Sequence, residues 1–490
     1  MTSGRRIKEY VQKFFYPPGV TPLPLGISLV IFVTLLFNAM TTTMVFAYLP
    51  ELVKSFGVSE VNTGTYAGYI ASSMFVSQTI FNYFWGYFGD KKGKKVALIC
   101  SCTGAAATTL LFGFSRNFYW TMFARFLQGA FGVLVTAKVM LLDVCDSTNQ
   151  PAAMAVVLSS YTVGLLLGPS IGGYLAFPAN SYPGLFSKDS LFERNTILLP
   201  NLVLCIGFVI TSLVSYFVMQ PDERVAAEQK CEAKKPLITT YGSISDNNEN
   251  ISVDLKVTRK KDYIIVALIR NKKCMISCLM FTLFQIVAIG FNELYPVWAA
   301  TTTSLNGLNM DTADVAQTFM IPAVLLMFVQ PIVLVRIADW FGIQKVFIIN
   351  LLMQAILYPL YPTLSVVSNS TARLVLLCAG NFVTRIAVGA CFMAASVMIN
   401  ESVTPDVIGA ANGLSTAMGN LARSATPIMF GKMFSWSLTN IKDPENEIAL
   451  GYPFNQYFSF LFMSVFCISA AFLLQCVGEK TIPVKIHPGD

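Results

Sequence analysis

The stretch GYFGDKKGKK, residues 86 to 95, sets one aspartate and four lysines between two long apolar runs. Gly86 falls on the last turn of the run before it, Asp90 follows four residues later, and Gly93 lies amid the lysines. Lysines are what any cytosolic connection between two membrane spans tends to carry. They do not account for the glycines. Gly86 is expected to let a neighbouring helix come close, and Gly93 to permit the tight reversal of a short hairpin. Asp90 is placed to take an Arg or Lys partner, or to face a helix N-terminus nearby.

The flanking runs recur through the chain. Of 490 residues, 54% are hydrophobic and 12% charged, where soluble domains carry about 25% charge; the mean hydropathy is +0.59. Runs of about 20 apolar residues cross ~30 Å of hydrocarbon as helices. They are expected at 25 to 49, 64 to 88, 96 to 115, 118 to 141, 152 to 177, 196 to 219, 274 to 300, 313 to 335, 346 to 364, 373 to 399, 407 to 436 and 453 to 476. The fold class is therefore all-α integral membrane, with twelve transmembrane helices. The N-terminal cations Arg5, Arg6, Lys8 and Lys13 lead into a span too long for a signal-peptide core, so the first helix is expected to be retained.

An even number of spans puts both termini on one side. Of the 34 Lys and Arg, 23 fall on that side and about seven on the other, which makes it the cytosol. The net charge of +7 then reads as topology and contact with anionic lipid, not as nucleic-acid binding. Eleven cysteines without a C-x-x-C pair and a single histidine, His487, offer no structural metal cluster, and no cofactor is expected. Nor is there a phosphate-binding G-x-x-x-x-G-K-[ST] loop, so ATP-driven transport and enzyme chemistry are set aside.

Six spans lie on each side of a polar segment. The expected organisation is a cytosolic N-terminal segment over 1–24, a six-helix bundle over 25–220, a cytosolic linker over 221–273, a second bundle over 274–476 and a cytosolic tail over 477–490. SISDNNENIS, within the linker, has little to bury and reads as disordered. The halves look like a diverged repeat. Arg125 to Gly129 and Arg385 to Gly389 share the form R-x-x-x-G at an offset of 260; Pro169 to Gly173 matches Pro427 to Gly431 at 258, and Asp90 to Gly93 matches Asp339 to Gly342 at 249. Two pseudo-symmetric six-helix bundles with a site near the midplane form a transporter architecture.

RFLQGAFG in span four sets Arg125, Gln128, Gly129 and Gly132 at helical spacing on one face. An arginine inside a span costs about 2.5 kcal/mol or more and normally faces a cavity or partner; the alternative is a snorkelling side chain. GLLLGPSIGG in span five packs Gly164, Gly168, Pro169, Gly172 and Gly173 into one short stretch, allowing tight helix contact and a bend. The remaining intramembrane charges are Lys138, Glu293, Arg385 and Arg423. Glu293 is expected to carry a proton, because opening and closing a site changes a buried carboxyl's proton affinity; the alternative is a fixed counter-ion for Arg423 or Arg385. Asn38 holds the matching place in span one and does not titrate, and Lys138, near a span end, has the snorkelling alternative too. The cationic surplus suits an anionic substrate or one bearing a carboxylate.

The opening stretch meets every position of G-x-x-x-D-[RK]-x-G-[RK]-[RK], and so resembles the signature of the major facilitator superfamily. That resemblance implies that Gly86, Asp90, Lys91, Gly93, Lys94 and Lys95 form a conformational latch. Asp339 and Gly342 are its counterpart in a stretch, RIADWFGIQK, that lacks the first glycine and most of the cations. It links Arg125 to proton coupling, and the span-five pattern is similar to the antiporter motif of the drug:proton branch. A narrower resemblance, to the zinc-induced facilitator-like proteins of plants, rests on FWGYFGD, TAKVMLLD, GLLLGPSIGGYLAFP, SYPGLFSKDSLFERNTILLPNL, NELYPVWA and ANGLSTAMGNLARSATP. It implies proton-coupled antiport of small metabolites, metal chelates or ions at plasma or vacuolar/lysosomal membranes. Where that family has a histidine-aspartate pair before the span-seven glutamate, this chain reads Gln285-Ile286-Val287.

The expectation is a secondary active transporter that exchanges a small molecule or ion for protons by alternating access, as a monomer in the bilayer. An uncoupled facilitator, a symporter of the same fold, or a non-transporting receptor or scaffold are the alternatives. Two small signals complete the reading: the sequon Asn369-Ser370-Thr371, and a Y-x-x-Φ address at Tyr241 to Ile244.

Overall fold

The structure, a computed structural model, describes residues 23–145, 149–186, 190–219, 266–404, 407–441 and 449–481. The N-terminal segment up to residue 22, SISDNNENIS, the tyrosine address and His487 lie outside the described residues, as do the side chains of Asp90 and Asp339. Among the described residues there are helices and no strands. In hydrocarbon, backbone N–H and C=O groups must be satisfied within the span, and a helix does this alone.

The first half runs through α1 (Leu25–Ser55), α2 (Thr63–Lys92), α3 (Lys94–Gly113), α4 (Phe118–Ala130), α5 (Val133–Asp143), α6 (Gln150–Leu175) and α7 (Leu198–Val218). The second runs through α8 (Lys272–Ala300), α9 (Thr312–Phe341), α10 (Ile343–Leu360), α11 (Ser370–Glu401), α12 (Ile408–Leu438) and α13 (Tyr457–Thr481). These segments fall on the twelve expected spans, with α4 and α5 sharing the fourth. Eight of the spans among the described residues are long and apolar enough to cross a membrane.

Contacts sort the chain into two units. The first holds the described parts of Met1–Ser59, Tyr69–Glu223 and Met310–Ala323; the second holds those of Glu60–Gly68, Arg224–Asn309 and Val324–Asp490. The N-terminal turns of α2 therefore belong with the second unit, and those of α9 with the first. In the first unit, Ile31 and Leu35 of α1, Leu98 and Cys102 of α3 and Phe208 of α7 build a dry core. In the second, Phe291 stacks on Tyr358 at 5.0 Å and meets Tyr361 at 4.9 Å, while Trp298 meets Phe460 edge-on at 5.7 Å.

The opening stretch is not a loop. α2 stays helical through Lys92, α3 begins at Lys94, and the reversal is made by Gly93 alone at φ 98°. Its N–H donates to the Gly89 carbonyl at 3.1 Å and its carbonyl accepts from Ala97 N–H at 3.1 Å, so it closes one helix and opens the next. Gly342 stands between α9 and α10 at φ 77°, and its carbonyl accepts from Val346 N–H at 3.0 Å. The pairing of Asp90 to Gly93 with Asp339 to Gly342 is thus a pairing of backbone shape. The close approach expected at Gly86 is absent: a Cβ there meets nothing within 4 Å. Asn369 of the sequon caps α11, its side-chain carbonyl accepting from Thr371 N–H at 3.0 Å.

Small residues in span five set the tightest packing. A Cβ on Gly164 would lie 2.5 Å from the Leu36 carbonyl oxygen, one on Gly168 2.8 Å from that of Met40, and one on Gly172 3.0 Å from the Met44 carbonyl carbon. Three glycines four residues apart therefore ride on three α1 residues at the same spacing. Gly173 points elsewhere, where a Cβ would meet the Thr312 carbonyl oxygen at 2.6 Å. In the second unit Pro427 and Gly431 sit on Gly68 and Gly64: a Cβ on Gly64 would be 2.9 Å from the Gly431 carbonyl oxygen.

Since neither backbone can give way, Gly168→Val is expected to cost about 1–3 kcal/mol or more through overpacking. Gly184→Val, where nothing lies within 4 Å, is the control. Thermal unfolding of the detergent-purified variants should lower the midpoint for the first and leave the second unchanged.

Candidate functional site

In the first unit the site is built on α4. Arg125 is 1% exposed. One terminal nitrogen donates to the Thr41 carbonyl at 3.0 Å and to Gln128 Oε1 at 2.8 Å; the other donates to the Thr42 carbonyl at 2.7 Å. The guanidinium also lies over the Phe112 ring, 5.6 Å from its centroid. Gln128 is fixed in turn, its side-chain N–H donating to Thr109 Oγ1 at 3.3 Å. Arg125 therefore does not snorkel. It is held by backbone oxygens of α1, the helix that the span-five glycines grip from another side.

Those α1 carbonyls come from a run of three threonines. Thr41, Thr42 and Thr43 each turn a hydroxyl back to the carbonyl four residues earlier, at 2.9, 2.9 and 3.2 Å. Such back-bonding satisfies the hydroxyls in an apolar setting. It leaves the Thr41 and Thr42 carbonyls to the arginine. Asn38 lies in the same helix and is buried.

Span four breaks directly after this site. Phe131 leaves the helical region at ψ 105°, and α5 starts at Val133. Gly132, expected on the same helical face as Arg125, Gln128 and Gly129, instead lies in the break. Trp85 fills it: the indole N–H donates to the Ala130 carbonyl at 2.7 Å, and a Cβ on Gly132 would strike its ring at 2.9 Å. Gly129 packs against the α2 backbone, a Cβ there lying 3.0 Å from the Met74 carbonyl carbon. Lys138 stands beyond the break on α5 and is half-buried.

In the second unit Glu293 on α8 is buried, 2% exposed. Ser277 donates to the Met398 carbonyl at 3.4 Å, and the Phe281 and Phe392 rings meet at 5.9 Å, so α8 and α11 run antiparallel. Extending that register puts Glu293 level with Phe382, about one turn from Arg385. Arg385 is in electrostatic reach of Tyr361 and Tyr295, and the Tyr361 hydroxyl bonds Thr384 Oγ1 at 3.1 Å. α12 runs parallel to α8, with Gly419 against Phe281 and Gly290 against Phe430. Arg423 then sits level with Gln285, roughly 12 Å along the axis from Glu293. By this register Arg385 lies closer than Arg423, along the helix axis, to the level of Glu293.

At the signature hairpin, Lys91 lies over the Tyr87 ring at 5.1 Å. Lys95 lies over Tyr216 at 5.2 Å, and its ammonium donates to the Met219 carbonyl at the end of α7. One signature lysine is therefore a helix cap inside its own unit. Sequence reasoning did not single out Trp85, the Thr41 and Thr42 carbonyls, Glu51 or Glu60. A tryptophan before the signature glycine was a visible signal; backbone acceptors leave none. Among the described residues no three His, Cys, Asp or Glu side chains gather as metal ligands.

The family model for the Major Facilitator Superfamily matches residues 31–427. A probable peptide/nitrate transporter of Arabidopsis thaliana is 26% identical over 405 residues, covering 82% of each chain. Zinc induced facilitator-like 1 of the same plant is 26% identical over 424 residues, 83% of each chain. The fold is similar to that of a D-xylose-proton symporter, at a TM-score of 0.65 and 16% identity over 94% of this chain and 98% of that one. The match covers most of the chain, and the chain belongs to the Major Facilitator Superfamily.

Proposed function

We propose that this multi-pass membrane protein is a secondary active transporter that exchanges a small solute for protons by alternating access. The observation that carries the reading is Glu293, an acid 2% exposed within an apolar span. An ionised carboxylate in such a place is costly unless paired, so the group gains or loses a proton as its surroundings change. Arg385, about one turn along the axis, and Arg423 supply the positive field that would hold an anionic or carboxylate-bearing solute when Glu293 is protonated.

On this reading Arg125, Gln128, Asn38 and Lys138 serve coupling and the substrate cavity. The hairpin from Gly86 to Lys95 and its counterpart at Asp339 and Gly342 act as latches. Gly164, Gly168, Pro169, Gly172 and Gly173 keep span five tight against span one. The two bundles over 25–220 and 274–476 are joined by the 221–273 linker, both termini are cytosolic, and the monomer works in a plasma or vacuolar/lysosomal membrane. The resemblance of the span-five stretch to an antiporter motif supports exchange over symport.

The test is a screen of metabolites and metal ions against proteoliposomes containing the protein, with and without an imposed pH gradient. Exchange predicts that solute entry drives protons out. Co-directional proton movement would make it a symporter, and solute entry without pH change a facilitator. Glu293→Gln should abolish the pH dependence of flux while leaving solute–solute counterflow, and unchanged pH-driven flux would remove Glu293 from the proton path.

Arg125→Lys keeps the charge but not the fork that reaches two carbonyls and Gln128. Since a hydrogen bond to a charged group contributes about 1.5–3 kcal/mol, flux should fall at least about tenfold and the unfolding midpoint should drop. Retention of full flux by this variant would place Arg125 outside the mechanism.

A further inference from the structure

Two carboxylates hold corresponding corners of the two units. Glu51, in the last turns of α1, accepts a hydrogen bond from the hydroxyl of Thr312, the first residue of α9. Glu60, which opens the short turn leading into α2, accepts from Thr302 N–H at 2.8 Å and from Thr302 Oγ1 at 3.0 Å, just beyond the end of α8. The first contact ties the end of span one to the start of span eight. The second ties the end of span seven to the start of span two.

These are the same contact in the two repeats with donor and acceptor exchanged. Glu51 and Thr302 are 251 residues apart and Glu60 and Thr312 are 252, close to the offsets of the three repeated motifs. Each clasp adjoins a seam of small residues. Gly173 packs against Thr312 beside the Glu51 clasp; Gly64 and Gly68 pack against Gly431 and Pro427 after the Glu60 clasp, where Thr65 N–H also donates to Ser435 Oγ at 3.0 Å. The glycines provide fit without polarity. The charge-assisted hydrogen bonds provide direction, and bonds of this kind are roughly twice as strong as neutral ones. Lys54 and Asp311 are in electrostatic reach of Glu51, and Asp311 is engaged by Asp314 N–H at 2.7 Å.

We propose that Glu51 and Glu60 are a matched pair of positioning residues that hold the non-cytosolic ends of spans one with eight and seven with two, and that both clasps release together when that face opens. The proposal rests on the alternating-access reading. It adds the residues that set the balance between the two states. Glu51 and Glu60 lie outside the expected spans at 25 to 49 and 64 to 88, so their role is separate from proton carriage by Glu293.

The test is hydrogen exchange, read by mass spectrometry on the full chain in lipid nanodiscs, for Glu51→Gln, Glu60→Gln and, on the partner side, Thr302→Val and Thr312→Val. Each single variant should raise exchange about tenfold at both clasps alike, in 60–68 with 301–306 and in 51–55 with 312–318, while exchange around the signature hairpin at 86–95 falls. Plain destabilisation would raise exchange in all three regions, and a purely local contact would raise it at one seam only; either result overturns the proposal. Should the glutamate variants fail to insert, the threonine variants carry the test, and an unchanged pattern in them also overturns it. Solute–proton exchange in proteoliposomes is measured separately. Clasps that behave as described in a protein moving no solute would sink the transport reading alone, and active transport with unresponsive clasps would sink only this proposal.

Discussion

The first unit depends on α6 lying close against α1, with glycines where larger side chains would hold the two backbones apart. Lipid tails are as apolar as leucine, so helices in a bilayer gain little from hiding hydrocarbon and associate through close fit and polar contacts. Gly164, Gly168 and Gly172 provide that fit along two full turns of α1. Held from that side, α1 offers Arg125 a fixed pair of carbonyls, and Gln128 and Thr109 complete the arrangement. Take away the glycines and the arginine has nothing rigid to hold.

The two units solve the problem of intramembrane charge differently. In the first, a cation is held by backbone oxygens, by Gln128 and by an aromatic face. In the second, a buried acid lies about one turn along the axis from an arginine that faces Tyr361 and Tyr295. Backbone carbonyls do not titrate, whereas carboxylates do.

Much of this was legible in residue order. Twenty-residue apolar runs are fixed by bilayer thickness, so the spans followed from composition alone. The glycine spacing of span five announced a packed stripe, and the positive φ at Gly93 followed from a glycine between two helices. What escaped were features made by contact across the fold. Gly86 occupies its motif position yet faces open space, because helix spacing says which face a residue is on and not what stands opposite. The break at Phe131 and Gly132 depends on a tryptophan 45 residues away to satisfy the freed carbonyl. Thr41 and Thr42 matter through their carbonyls, which every residue has. The lysine-rich signature read as one device, whereas Lys95 is committed to the end of α7 by a neighbour that only folding brings near.

The single-residue reversal at Gly93 has a mechanical consequence. A loop of ordinary length stores slack, so the helices it joins can slide or tilt separately. With one residue between them, and both of its backbone groups committed to the adjoining turns, α2 and α3 have none to share. α2 is 30 residues long, about 45 Å at 1.5 Å per residue. A tilt of that rod must pass to α3 as torque on one peptide unit, and Gly342 imposes the same rule on α9 and α10. The chain has thus made two stiff elbows from the most pliable amino acid, and each pair of helices must turn as one lever.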